Sequence, residues 1–222
     1  MHEPGGDDPM QLYSYFRSSA AYRVRIALNL KGLAYDYVPV HLLKDGGQQL
    51  SAGYRALNPA ALVPTLRDGD AVIPQSLAII EYLEETHPQP ALLPTDPIGR
   101  ARVRALAQTI ACDIHPLNNL RVLKYLKHEL GVDEDAKAAW YRHWVEQGLL
   151  ALEGMLASGP AGRYCHGDTP TLADLCLVPQ VANAQRFNSD LSAMPHVMRI
   201  DAACRALPAF EQAAPANQPD AE

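Results

Sequence analysis

The stretch that decides the fold is Leu12-Tyr13-Ser14-Tyr15-Phe16-Arg17-Ser18-Ser19-Ala20-Ala21-Tyr22-Arg23-Val24-Arg25-Ile26-Ala27-Leu28-Asn29-Leu30, followed by Lys31-Gly32. Its first five residues are aromatic-rich and strand-sized. From Ala21 to Leu30 the spacing turns helical, with Val24, Ala27 and Leu28 on one face at i, i+3 and i+4. Gly32 ends that helix, since glycine accepts the left-handed backbone found just past a helix. Tyr35-Asp36-Tyr37-Val38-Pro39-Val40 then alternates as a second strand. Strand, helix and strand in this order give a right-handed crossover between parallel strands.

Further along, Val63-Pro64-Thr65-Leu66 and Ala71-Val72-Ile73 are short apolar runs separated by Arg67-Asp68-Gly69-Asp70. The Asp-Gly pair is a hairpin signal and predicts antiparallel pairing. Pro64, just ahead of a strand, is a natural site for a cis peptide. A helix is expected from Ser76, as N-cap, to about Glu85, burying Ile79, Ile80 and Leu83. Residues 87–97 hold Pro88, Pro90, Pro94 and Pro97 and read as a linker. Beyond them the chain turns helical. Val103, Leu106, Ala107 and Ile110 make one stripe, and Leu120, Leu123 and Lys127 share a second face. Tyr141, Trp144, Val145, Leu149, Leu152 and Leu156 mark a long third helix. Thr171-Leu172-Ala173-Asp174 has the capping-box pattern, and Pro179 should bend the helix it opens. Lys124-Tyr125-Leu126-Lys127-His128 reads as a solvated helix face. The fold class expected is an α/β domain followed by an all-α domain. Residues 1–9 form a polar tail, 10–88 the first domain, 89–97 the linker, 98–215 the helical domain and 216–222 a loose end.

Composition narrows the function. The 222 residues carry a net charge of −6, a poor match for nonspecific binding to DNA or anionic membranes. No apolar run is long enough to span a bilayer, and the start lacks a secretion-signal pattern. Cys112, Cys165, Cys176 and Cys204 have neither redox-pair nor zinc-finger spacing, so no metal is expected. Glycine-rich nucleotide loops and the serine-nucleophile motif are missing as well.

The segment from Phe16 to Leu28 resembles the zeta-class glutathione transferase signature SSCxWRVRIAL. Asn58-Pro59, Val63-Pro64-Thr65-Leu66 and Gln75-Ser76-Leu77-Ala78-Ile79-Ile80-Glu81-Tyr82-Leu83 are similar to that class's glutathione-site segments. Asp113-Ile114-His115-Pro116-Leu117-Asn118-Asn119 and the run from Val178 to Phe187 continue the match in the second half. The resemblance covers nearly everything from Met10 to about Pro215. It implies a thioredoxin-like first domain, a helical second domain, a cytoplasmic homodimer, and glutathione as cofactor. One departure is Ala20, where the class signature has cysteine, which argues against a protein thiol in the chemistry.

By this resemblance Ser18 is the catalytic residue, with Ser19 and Arg17 beside it. Free glutathione is only a few per cent thiolate at pH 7, so the protein must favour the anion, and a hydroxyl at a helix N-terminus does so. Taken alone, a Ser-Ser pair before a helix is more simply a cap. The resemblance implies further glutathione contacts at Ala20, Ala21, Tyr22, Arg23, Gln49, Val63, Pro64, Gln75, Ser76, His115, Asn119, Leu120 and Arg121. Arg17 and Arg186 are the candidates for holding the carboxylates of a small dicarboxylic cis-enedione, with their forked donors also countering developing negative charge. Arg25 is expected in solvent or in an interdomain pair. Three functions remain open: cis–trans isomerisation of maleylacetoacetate or maleylpyruvate, conjugation or dehalogenation of small α-halo acids, and a noncatalytic interaction module.

Overall fold

The computed structural model describes residues 9–222, so the expected tail over 1–9 lies, except for Pro9, outside the described residues. The chain forms two compact units. One runs up to Ala91 and takes in Leu207–Glu222; the other is Leu92–Ala206.

In the first unit, β1 (Met10–Ser14), β2 (Tyr35–Pro39), β3 (Thr65–Asp68) and β4 (Ala71–Pro74) form a sheet in the order β2-β1-β3-β4. β1 and β2 are parallel, as the crossover predicted, and β3 and β4 antiparallel, as the Asp-Gly turn predicted; β1 and β3 are antiparallel. Helix α1 (Ser19–Leu30) makes the crossover and stops at Lys31, with Gly32 at φ +64 just beyond. Short α2 (Ala52–Leu57) follows β2, and α3 (Ser76–Thr86) follows β4. The core pairs Leu12 and Leu66 of the sheet with Val24, Ala27 and Leu28 of α1 and Ile79, Ile80 and Leu83 of α3, all essentially sealed from solvent. Burying each such valine, leucine or isoleucine side chain is worth about 1.5–3 kcal/mol. The Val63–Pro64 peptide is cis, and so is Gln89–Pro90.

The second unit holds α4 (Pro97–Gln108), α5 (Leu120–His128), α6 (Glu134–Ala157), α7 (Leu172–Arg186) and α8 (Pro195–Arg205), with a π-helical turn over Thr109–Ile114. The stripes predicted for α4 and α6 are buried apart from half-buried Trp144; in α5 it is Leu126, not Leu120, Leu123 or Lys127, that is buried. The capping box forms. Asp174 accepts hydrogen bonds from Thr171 N–H (2.7 Å), Thr171 Oγ1 (2.9 Å) and Cys165 N–H (2.8 Å). Pro179 lies within α7, which continues past it to Arg186.

Two expectations are corrected by the far end of the chain. The helical unit stops at Ala206 rather than 215, and residues 216–222 are not loose. Helix α9 (Pro208–Ala213) packs on α1. Tyr22, Arg25 and Asn29 stand on one face of α1 at i, i+3 and i+7 and donate to the carbonyls of Phe210 (3.3 Å), Ala213 (2.9 Å) and Ala209 (3.1 Å). These three polar groups turn a whole face of α1 toward the returning chain. Arg25 is therefore wholly buried inside the first unit, not in solvent or between domains. Burial lowers its pKa, and it remains satisfied by a ring of oxygen acceptors.

Candidate active site

Sheet topology gathers the predicted residues of the first unit. Tyr13 of β1 pairs with Thr65, the first residue of β3, and Thr65 pairs with Pro74, the last residue of β4. Pro39 at the end of β2 pairs with Ser14 at the end of β1. The segments leaving β1 (Arg17, Ser18), entering β3 (Val63, Pro64), leaving β4 (Gln75, Ser76) and leaving β2 toward Gln49 therefore meet at one end of the sheet. This is the carboxyl end of its parallel pair, where open α/β sheets bind ligands.

Ser18 is the N-cap of α1, with φ −70 and ψ 113; its Oγ accepts from Ala21 N–H at 3.1 Å. A hydroxyl that accepts through oxygen keeps its own proton to donate. Capping and donation to an anion are thus compatible in one side chain. The first turn of α1 contains no acidic residue, so nothing within it offsets the positive end of the helix dipole. Ser19 is buried, and Arg17 is exposed with its guanidinium 4.8 Å from the Phe16 ring centre. Ala20 and Ala21 are buried.

Ser76 is the first residue of α3, and Gln75 rather than Ser76 is its N-cap, which corrects the expectation. Gln75 holds φ 74 and ψ 117, a conformation rare for a residue with a side chain and typical of functional sites. Ser76 Oγ accepts from Arg23 Nη1 at 3.2 Å. Val63 precedes β3, so its N–H and C=O stand outside the sheet ladder. Gln49 is buried, and its Oε1 has no hydrogen-bond partner among the described residues. Gly47, at φ 111, lies over it; a Cβ there would stand 2.8 Å from Gln49 Nε2. Gln48 and His41 brace this loop, Gln48 Oε1 accepting from His41 N–H (2.8 Å) and His41 Nδ1 from Leu43 and Lys44 N–H (3.1 and 2.9 Å).

The other predicted residues belong to the second unit. Asn119 caps α5, accepting from Arg121 N–H at 3.2 Å, and its amide nitrogen lies 3.5 Å from His115 Nε2. Leu120 is half-buried and Arg121 exposed. Arg186 ends α7 over the Phe187 ring (4.9 Å), which stacks on Tyr141 at 3.7 Å. Burial pushes the Tyr141 phenol up to about 12 against the pull of the Arg186 guanidinium. Tyr141, read from sequence as packing alone, thus also seats Arg186, and its carbonyl accepts from Asn118 Nδ2 at 3.2 Å. The long apolar stripe of α6 concealed that second role.

A β2-β1-β3-β4 sheet with a cis proline opening β3 and a serine capping the first helix, continued by a helical unit, defines a glutathione S-transferase. The comparisons agree: residues 12–91 match the glutathione S-transferase N-terminal domain family. A probable maleylacetoacetate isomerase of Vibrio cholerae is 56% identical over 95% of this chain and 97% of its own. A zeta-class maleylpyruvate isomerase of known holo structure superposes with a TM-score of 0.93 at 54% identity, covering 96% of this chain and all of that one. The maleylacetoacetate isomerase of Anaeromyxobacter dehalogenans, solved with dicarboxyethyl glutathione and citrate in its active site, gives 0.85 at 46% identity over 96% and 98% of the chains. The chain belongs to the zeta-class family of maleylacetoacetate and maleylpyruvate isomerases.

Proposed function

We propose that the protein is a glutathione-dependent isomerase that converts maleylacetoacetate or maleylpyruvate to the fumaryl isomer. The observation that carries the reading is Ser18. Its oxygen is engaged by the first turn of α1, and its hydroxyl proton is left to donate at the positive end of that helix. Glutathione fits the residues around it. The buried Gln49 Oε1 calls for an N–H donor, which a tripeptide's amides provide, and the start of α3 suits a carboxylate.

When bound, glutathione supplies a thiolate that adds reversibly to a conjugated cis double bond. Ser18 donates to the sulfur and holds it as the anion, in the field of the α1 N-terminus. Ser76 and the backbone after Gln75 take the γ-glutamyl carboxylate, and the Val63 backbone takes the cysteinyl amide. Arg17 and Arg186 orient the substrate carboxylates and counter the charge that develops on the substrate's carbonyl oxygen. Two of the chain's own thiols, Cys165 and Cys204, suit this chemistry poorly, since burial raises their pKa, and position 20 is alanine. His115, Asn119, Leu120 and Arg121 complete the glutathione contacts in this reading. It also makes the protein a cytoplasmic homodimer of aromatic catabolism.

The test is to react the purified protein with each cis diacid, with and without glutathione, and follow loss of enedione absorbance. Glutathione-dependent loss with at least one diacid is expected. No isomerisation of either overturns the reading, and turnover of α-halo acids alone assigns the protein to conjugation.

A further inference from the structure

The turn from β1 into α1 is held by the far end of the chain. The Phe16 N–H donates to Asp220 Oδ2 at 3.1 Å, and the Phe16 carbonyl accepts from Arg25 Nη2 at 3.1 Å. Arg25 also reaches Ser14 Oγ (3.1 Å), the Tyr15 carbonyl (3.4 Å) and, through Nε, the Ala213 carbonyl (2.9 Å). The other carboxylate oxygen of Asp220 accepts from the Tyr37 hydroxyl at 2.6 Å. Both peptide planes before Arg17 are thereby pinned by groups on, or tied to, residues 207–222. That segment is itself folded to present Asp220. The Gln218 amide donates to the Gln212 and Ala214 carbonyls (2.8 and 2.9 Å), and Asn217 donates to the Glu211 carbonyl (2.7 Å).

Phe16 is 3% exposed, so its N–H has little access to water if the carboxylate is lost. Arg25 would then hold the turn through the Tyr15 and Phe16 carbonyls alone, which leaves the Tyr15–Phe16 peptide without the anchor on its N–H side. Ser18 N–H donates to the Tyr15 carbonyl at 2.9 Å, so movement of that peptide reaches the N-cap directly. We propose that Asp220 is a positioning residue for the sulfur site, fixing the Tyr15–Ser18 turn so that the Ser18 hydroxyl is aimed at the thiolate. The proposal rests on the role given to Ser18 above.

Two readouts test it on the full-length protein. Without ligand, amide hydrogen exchange at Phe16 should quicken at least about tenfold in Asp220→Ala. With glutathione bound, thiolate absorbance followed against pH should give a midpoint raised by about half to one unit, or about three- to tenfold less thiolate below the midpoint. The KM for glutathione should change little. Asp220→Asn keeps the shape and offers a neutral acceptor oxygen to the Phe16 N–H, with its amide free to donate to the Tyr37 hydroxyl, so its midpoint should shift less. It is the variant read if Asp220→Ala does not fold. That graded return of the midpoint in the conservative variant is one that loss of fold stability alone would not produce. Ser18→Ala serves as the reference. If it raises the midpoint while the Asp220 variants leave both midpoint and Phe16 exchange unchanged, the proposal is overturned and the reading of Ser18 stands. If Ser18→Ala leaves the midpoint unmoved, the reading of Ser18 fails, and the role of Asp220 in aiming it fails with it.

Discussion

Arg23 Nη1 donates to Ser76 Oγ at 3.2 Å, tying the first helix to the first residue of α3 inside the unit's interior. Because the Ser76 oxygen is taken by a buried guanidinium, its hydroxyl proton is directed to another acceptor. Removing it subtracts one hydrogen bond to a charged ligand, worth about 1.5–3 kcal/mol. Ser76→Ala should therefore raise the KM for glutathione at least about tenfold while kcat changes by less than about twofold, the pattern of lost uniform binding. Steady-state kinetics with glutathione varied at saturating diacid checks this.

Ser18→Ala should lower kcat/KM about a hundredfold, the scale of losing one donor to a developing or resident anion. It should also cost about 1 kcal/mol of stability through the lost cap. Ser18→Thr keeps both the acceptor and the proton and should recover most of each. Thermal melting and kinetics on the same preparations separate the two effects.

Arg186→Ala should reduce kcat/KM for the diacid at least about tenfold with little change in the KM for glutathione, because a forked donor to a substrate carboxylate is lost. Tyr141→Phe tests the seat of that arginine. It keeps the ring stacked on Phe187 and should give a milder loss of the same kind.

Asp174 is buried and accepts from two backbone N–H groups and one hydroxyl. Burial raises its pKa despite these bonds, so its protonated form is favoured by folding. Stability from this group is full below the unfolded carboxyl value and declines as pH rises through the raised folded one. Asp174→Ala should cost about 2–4 kcal/mol by stranding three donors. Asp174→Asn should also destabilise, though less, since its one oxygen keeps one side of the site satisfied while its amide nitrogen faces a backbone N–H on the other. Urea unfolding at pH 7 distinguishes them.

Glu153 of α6 reaches across to the start of α8, accepting from the N–H groups of His196 (3.1 Å) and Val197 (2.9 Å) and facing the His196 ring. Burial pushes its carboxyl up, but these donors outweigh it and hold the pKa below the usual value. A lowered folded pKa gives stability that is present above the unfolded value, about 4.3, and is lost as pH falls below it. Glu153→Gln should melt lower than wild type at pH 7, and the difference should shrink between about pH 5 and pH 3.

The strands and their pairing were legible because β1, β2 and the Asp-Gly hairpin obey local rules of period and turn chemistry. The cap of α1 was legible at Ser18, since a cap is a local pattern. What escaped was nonlocal. Gln75 gives no hint of a positive φ, so the cap of α3 was placed one residue late. Arg25 looked like a solvated charge because its acceptors come from two segments far from it in sequence or off its own helix, residues 14–16 and Ala213. Residues 216–222 looked loose by composition, and only the polar face of Tyr22, Arg25 and Asn29 on α1 signalled that a partner was due.

The return of residues 207–222 to the first unit also sets the order in which the protein can be completed. On the ribosome, the turn around Phe16 emerges early and must wait for the whole of the second unit to be synthesised before Asp220 arrives. A nascent chain halted before residue 207 carries every strand of the sheet, yet leaves Arg25 short of the Ala213 carbonyl and the Phe16 amide without its carboxylate.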